Sequence, residues 1–276
     1  MVRFLLVVLA LFPALSAAGA QERRISHCIA IADAAPGLEY VLPASFGAPL
    51  DDNTVRINYV DHSMFLIETS GGLRAATDFT GFLGTANLIP DVVTMNNAHA
   101  THWTATPDPA IPHVLEGWAK DGAAADHHLD LGEMMIRNVP TDVRGYGSGV
   151  VRKNGNSIFV FEVAGLCIGH LGHLHHEPDA AQYAALGRLD VVMAPVDGGL
   201  TLDLPTMIRV LQRLRSSVVI PMHWFSETSL DRFLVGMSGD FVISRPRSGF
   251  LEVSLRSLPP RPTVVVLEPS FLRDPQ

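Results

Sequence analysis

Asp91-Val92-Val93-Thr94-Met95-Asn96-Asn97-Ala98-His99-Ala100-Thr101-His102 sets a short apolar run directly against two histidines three residues apart. An apolar run of this length bounded by polar residues reads as a buried strand. Histidines three apart face the same side of a helical turn and can converge on one ion. Imidazole suits zinc-like ions because its neutral ring nitrogen donates without adding charge to the site.

The arrangement recurs downstream. The apolar stretch Ile158 to Gly169 leads into His170-Leu171-Gly172-His173-Leu174-His175-His176, Leu189 to Ala194 leads into Asp197-Gly198-Gly199, and Ser217 to Pro221 leads into Met222-His223. Open α/β sheets build their sites at the carboxyl ends of strands. His99, His102, His170, His173 and His223 are therefore the candidate metal ligands among twelve histidines. His175 and His176 are weaker candidates, and His27, His113, His127 and His128 read as ordinary hydrogen-bonded side chains.

Further out, the N-terminal part reads as hairpins. Val55-Arg56-Ile57-Asn58-Tyr59 alternates with period two, Met64 to Ile67 ends before the turn signal Ser70-Gly71-Gly72, and Leu73 to Thr77 returns. Asn154-Gly155 predicts a second hairpin, between Gly149-Val150-Val151 and Ile158 to Val163. Strands then alternate with helices. Pro178 to Leu186 opens on proline and closes before Gly187, while Leu204 to Arg215 carries Met207, Val210, Leu211 and Leu214 on one face. This order predicts a mixed α/β layered fold with helices outside the sheets.

A chain of 276 residues, 47% hydrophobic and 17% charged, can bury one large core, so residues 21–276 are expected to form a single domain. Residues 1–20 read as a signal peptide: Arg3 supplies the positive end, Phe4 to Phe12 the apolar run, and Ala18-Gly19-Ala20 the cleavage site. The run is shorter than the roughly 20 apolar residues that span a bilayer, and no later segment reads as a span. The expected destination is the periplasm or the exterior. Net charge is -8, or -9 once Arg3 is removed with its segment, which disfavours a nucleic-acid partner. Cys28 and Cys167 are the only thiols. An oxidising compartment permits them to pair, but Cys167 lies in the apolar run Gly165-Leu166-Cys167-Ile168, and the expectation favours two free thiols.

The segments His62-Ser63-Met64-Phe65-Leu66-Ile67-Glu68, Thr77-Asp78, Asn97-Ala98-His99-Ala100-Thr101-His102, His170-Leu171-Gly172-His173 and Pro221-Met222-His223, in this order, resemble the metallo-β-lactamase superfamily. Within it they are similar to the branch that includes the ascorbate-phosphate lactonases, over about Arg56 to Leu267. The resemblance implies a four-layer αββα sandwich and a small-molecule substrate. It also implies one or two divalent ions, zinc first with manganese or iron as alternatives, and a metal-activated water that attacks an ester, lactone or phosphodiester. By the same likeness Asp78 orients a ligand histidine and His62 lies near the metal. A cap on the turn Asp78-Phe79-Thr80-Gly81 and a hydrogen bond within the sheet are their structural alternatives. Asp197 is a further orienting candidate, with a tight turn as its alternative.

The likeness is incomplete. The family pattern His-x-His-x-Asp-His reads Asn97-x-His99-x-Thr101-His102 here, and His173 stands where an aspartate bridges two metals. These departures keep open a second reading, a catalytically impaired metal- or ligand-binding protein of the same fold. A third, a loose chelator built on the run His170 to His176, needs no catalytic site. No Gly-x-Ser-x-Gly elbow, Gly-rich phosphate loop or Cys-x-x-Cys pair is present, which removes serine-hydrolase, nucleotide-binding and thioredoxin-like readings. Trp103 and Trp118 are read as pocket-lining or core residues.

Overall fold

A computed structural model describes residues 23–30, 47–145 and 151–274. The signal-peptide reading of residues 1–20 and the strand start at Gly149-Val150 lie outside them. After a short helix α1 (His27–Ala30) come β1 (Val55–Asp61), β2 (Met64–Thr69), β3 (Arg74–Ala76), β4 (Val92–Met95) and β5 (His113–Glu116). Next come β6 (His128–Asp130), β7 (Met134–Arg144), β8 (Val151–Val163) and β9 (Leu166–His170). The remainder alternates: α2 (Ala180–Leu186), β10 (Val191–Pro195), α3 (Leu204–Leu214), β11 (Val218–Met222), α4 (Glu227–Met237), then β12 (Val242–Ser244), β13 (Phe250–Val253) and β14 (Thr263–Val265).

Two sheets result, in the orders β13-β1-β2-β3-β4-β5 and β12-β14-β11-β10-β9-β8-β7-β6. Their inner faces meet through the alternate residues of each strand: Val55, Ile57 and Tyr59 of β1 pack with Phe159, Phe161 and Val163 of β8, Val191 and Met193 of β10, and Val218 and Ile220 of β11. The intervening residues Ile158, Val160, Val192 and Val219 face the other way, against Leu186 of α2, Met207, Val210 and Leu211 of α3, and Leu230, Phe233 and Met237 of α4. With both faces covered, the parallel strands β9, β10 and β11 are wholly buried, hence their unbroken apolar runs. The outer face of the six-stranded sheet is covered by Phe79, Leu83, Trp103, Ile111, Trp118 and Leu272. The expected αββα layering is met, the fourth layer being irregular chain among the described residues. Trp103 and Trp118 belong to that layer, edge to face at 5.7 Å, rather than to a pocket.

The alternation in β1 does not leave its polar face in water. Arg56 is buried and reaches Glu252 at 2.6 Å, and Asn58 donates to Glu68 at 2.8 Å, so each buried polar group has a partner.

Two sequence expectations are corrected. Asn154-Gly155 is not a hairpin turn: β8 runs through it, and the register against β7 shifts between Thr141 and Val143. Asn154 takes the left-handed backbone (φ 49°) that the dipeptide favours, here to form a bulge. Cys28 and Cys167 are not free thiols but a disulfide, with Cα atoms 5.8 Å apart. Its surroundings fix the same segment. Ser26 Oγ donates to Glu162 at 2.5 Å and the His27 N–H donates to the same carboxylate at 3.1 Å. Arg137 joins Glu162 at 2.8 Å and caps the α2 carbonyls of Ala185 and Leu186. Burial alone would raise the Glu162 carboxyl, but the bonds from Ser26 and Arg137 hold it below its ordinary value.

Candidate metal centre

The sheet ends gather the site at one edge. β4 runs into Asn96–His102, β9 into His170–His175, β10 into Asp197, β11 into His223, and the β1–β2 turn brings His62 and Ser63. Two of these residues, His62 (φ 43°) and His223 (φ 56°), and Asp78 (φ 44°) just after β3 hold the left-handed backbone that residues other than glycine rarely adopt. Such strain concentrates where the surrounding structure fixes side chains for a task.

His102 is the centre of the group. Its Nδ1 lies 2.5 Å from Asp78 Oδ2 and 3.1 Å from Ser63 Oγ, while Asp78 Oδ1 accepts the Asn96 N–H at 2.9 Å. Asp78 is completely buried, and burial pushes its carboxyl up to about 6, against the opposing pull of His170 and the Asn96 N–H. At neutral pH it is an anion that accepts the Nδ1 proton. The lone pair of His102 is thereby placed on Nε2, a buried atom with no hydrogen-bond partner among the described residues. A buried, unpartnered nitrogen held in one tautomer by a carboxylate is how ligand histidines are prepared for a metal.

The other rings stand around it. His223 lies 5.1 Å from His102 between centroids, with its Nδ1 3.0 Å from Asp197 Oδ2. Asp197 closes its tight turn and also faces the cluster: Oδ1 accepts the N–H groups of Gly199, Leu200 and Thr201, and Oδ2 faces His223 and Thr201 Oγ1. Burial would raise this carboxyl, but these bonds hold it below the usual carboxylate range. His62 is 4.0 Å from His223 and 5.7 Å from His102, and its Nε2 is also buried without a hydrogen-bond partner among the described residues. His173 is 4.7 Å from His102 and 5.3 Å from His99. The His173 N–H is anchored on Asn156 Oδ1 at 2.9 Å, and its Nδ1 is 2.5 Å from His175 Nε2.

Donor atoms of His62, His102 and His223 lie within 4.8 Å of one another, and so do those of His99, His102 and His173. Four nitrogens at zinc bonding distance are about 3.3 Å apart, so either triad closes on an ion with small side-chain adjustments. Burial first, then mutual repulsion, holds four of these imidazoles below their ordinary range: His62 at about 3, with His102, His173 and His99 also lowered. They are neutral donors at physiological pH. A cluster of neutral nitrogens, several of them unpartnered, fits a divalent cation.

His170 is not brought into this cluster, contrary to the expectation from its spacing. Its Nε2 donates to the Ser63 carbonyl at 2.7 Å, and its Nδ1 accepts from the Gly172 N–H at 3.2 Å with the Asn96 amide at 3.1 Å. Both ring nitrogens are used inside the protein, so His170 ties β9 to the β1–β2 turn. The reason is local. Gly172 turns the chain at φ 59°, where a Cβ would meet the Asn96 side chain at 2.4 Å, and the helical turn that would align His170 with His173 does not form.

Sequence reasoning passed over Ser63, Asn96 and Asn156, which carry no metal signature, and set His175 aside although it contacts His173. It also did not find Arg152, whose Nη2 donates to Asn97 Oδ1. This bond occupies the amide oxygen that could otherwise face a cation. Arg144 donates to the carbonyls of Gly199 at 2.8 Å and Thr201 at 2.7 Å, bracing the Asp197 loop. His175 is lowered to about 4 by burial and then by the Arg144 charge.

Two facing sheets with a histidine cluster at their strand ends define a metallohydrolase-type α/β sandwich. Residues 56–223 match the beta-lactamase superfamily domain, and the chain belongs to that family. It is 22% identical over 191 residues to a UPF0173 metal-dependent hydrolase of Carboxydothermus hydrogenoformans, covering 62% of this chain and 84% of the relative. A UPF0173 metal-dependent hydrolase of Methanosphaerula palustris is 24% identical over 184 residues, with the same coverage, 62% and 84%. Among solved structures, one from Thermotoga maritima described as a Zn-dependent hydrolase of the metallo-beta-lactamase superfamily superposes with a TM-score of 0.55 at 25% identity, over 78% of this chain and 98% of its own. Igni18, a metallo hydrolase of Ignicoccus hospitalis, shares the fold at a TM-score of 0.52 and 20% identity, over 79% and 96% of the two chains.

Proposed function

We propose that the protein is an exported metal-dependent hydrolase that acts on a small ester or lactone through a single divalent ion. The observation that carries this is His102, whose Nδ1 is held by Asp78, whose Nε2 is buried with no hydrogen-bond partner among the described residues, and which is shared by both histidine triads. One nitrogen serves one ion, so the two triads are alternatives around a common centre. His62, His102, His223 and His173 would hold the ion, with His99 at the open side, while Asp78, Asp197 and His175 fix ring orientation. A bound divalent ion supplies a water of lowered pKa and polarises the bond under attack. The sheet ends exclude bulk water from His102 and His223, both fully buried, and leave the half-buried His99 towards solvent.

Zinc is the proposed ion because the donor set is all nitrogen. Export into an oxidising compartment is supported by the Cys28–Cys167 disulfide, since such bonds are rare where thiols are kept reduced. The lactone end of the substrate range rests on the sequence likeness to the lactonase branch. Elemental analysis of the purified protein, followed by a panel of lactones, nitrophenyl esters and bis-nitrophenyl phosphate, tests the proposal. About one equivalent of metal with turnover of an ester or lactone is the expected result; folded protein that takes up no metal defeats it. Metal uptake without turnover of any panel member is the outcome of the second reading, a binding protein, which Asn97, Thr101 and His173 at family ligand positions favour.

A further inference from the structure

The guanidinium of Arg152 is bonded to Asn97, the residue that stands where the family pattern calls for a metal-binding histidine. Its Nη2 donates to Asn97 Oδ1 and, at 3.3 Å, to the Gly155 carbonyl. Arg152 is exposed at the mouth of the site, above buried His173 and His175, and its charge reaches both His99 and His175. Other arginines near the sheets have carboxylate partners: Arg56 with Glu252, Arg137 with Glu162, Arg188 with Asp190. Among the described residues no carboxylate lies within ion-pair distance of Arg152, although acids outnumber basic residues by 28 to 20. A guanidinium offers five N–H donors in a fork that matches carboxylate and phosphate oxygens, and both bonds to described residues leave from Nη2. The same charge repels a second cation at Asn97.

At the other end of the row of rings stands Phe225, 63% exposed and 5.2 Å and 5.3 Å from His62 and His223. The site is thus framed by an apolar wall on one side and a permanent positive charge on the other.

We infer that Arg152 is a substrate-binding residue that takes the place of a second metal ion, and that the substrate is a small ester or lactone bearing a carboxylate or phosphate group. The inference rests on the hydrolase reading, but anion binding can be measured apart from turnover. Inorganic phosphate and succinate are titrated calorimetrically into the zinc-loaded full chain, wild type and R152Q, with R152K as the conservative control. Nitrophenyl acetate and the mono-nitrophenyl ester of succinate form a neutral and an anionic substrate pair.

At least one anion is expected to bind the wild type and to lose about tenfold or more in R152Q, the size of a charge-assisted contact, with metal content and Tm unchanged. R152K should recover part of the loss. Which anion binds identifies the group as phosphate or carboxylate. KM for the anionic ester should rise in R152Q while that for the neutral ester stays. Equal binding by wild type and R152Q, no binding by the wild type, equal KM shifts for both esters, or loss of zinc from R152Q would each overturn the inference. If neither ester is turned over, the hydrolase reading fails while the calorimetric comparison still decides the role of Arg152.

Discussion

Asp78 Oδ2 lies 2.5 Å from His102 Nδ1, both side chains being fully buried, and this contact decides which nitrogen of the central histidine faces the site. Asp78→Ala removes the acceptor that fixes the tautomer and leaves the Asn96 N–H without its partner. Zinc affinity should fall about 10- to 100-fold, as for other partners of ligand histidines. The unpaired amide should cost about 1–3 kcal/mol of stability. Chelator competition and urea denaturation separate the two effects; a loss of stability with unchanged affinity would reduce Asp78 to a turn cap.

On the proposed reading the histidines divide into ligands and a tie. His102→Ala should abolish stoichiometric metal, because His102 belongs to both triads. His170→Ala should keep the metal and lose about 1–3 kcal/mol of stability, since its ring nitrogens bond Ser63 and Gly172 and no ligand atom is removed. Metal per folded chain, read by elemental analysis after gel filtration, checks both. Equal metal loss in the two variants would return His170 to the ligand set.

Much of the fold was legible because burial on both faces writes itself as unbroken apolar runs, as in Val191–Pro195 and Val218–Met222. The site was legible as far as strand ends foretell it, which covers His99, His102, His173 and His223. His170 stands apart from the gathered rings because equal spacing is not equal direction: Gly172 breaks the turn between His170 and His173. The positive-φ backbone of His62, Asp78 and His223 has no signature in residue type. Asn154-Gly155 shows the converse: the dipeptide predicts a hairpin turn, but β8 runs through it and uses the left-handed backbone of Asn154 as a bulge. The disulfide escaped because its partners are 139 residues apart and each sits in an apolar setting that suits a free thiol equally well.

Reduction should matter to the whole domain. The Cys28–Cys167 bond closes a loop of 139 residues, so cutting it releases a long unfolded-state constraint, worth about 2–5 kcal/mol. Cys28 also packs in the core beneath α2, and the Glu162 network holds the same segment. The double variant Cys28→Ser, Cys167→Ser should therefore unfold at a clearly lower temperature than the oxidised protein, and reductant should shift only the wild type. A Tm that ignores both treatments would mean that the hydrogen bonds to Glu162 anchor the segment alone.

The metal-free protein should weaken as pH falls below about 6.5, because the lowered histidines outnumber Asp78, whose carboxyl, raised to about 6, takes up its proton in the folded state first and opposes the trend. His62 is held down to about 3 and His175 to about 4, with His102 and His173 also lowered, against an ordinary imidazole value near 6.5. Between those limits the unfolded chain binds more protons than the folded one, so stability rises with pH across the window and is lost as pH falls below about 6.5. Each such histidine contributes a slope of at most about 1.4 kcal/mol per pH unit. Glu162 acts in the same direction at lower pH: its depressed carboxyl adds stability above its unfolded value, lost as pH falls through the folded one. Urea denaturation of metal-free protein at pH 7.5, 6.0 and 5.0 should give successively lower midpoints, and zinc should raise all of them. A flat midpoint over that range would show that the imidazoles meet water freely, in which case the ring cluster is too open to prepare a metal site.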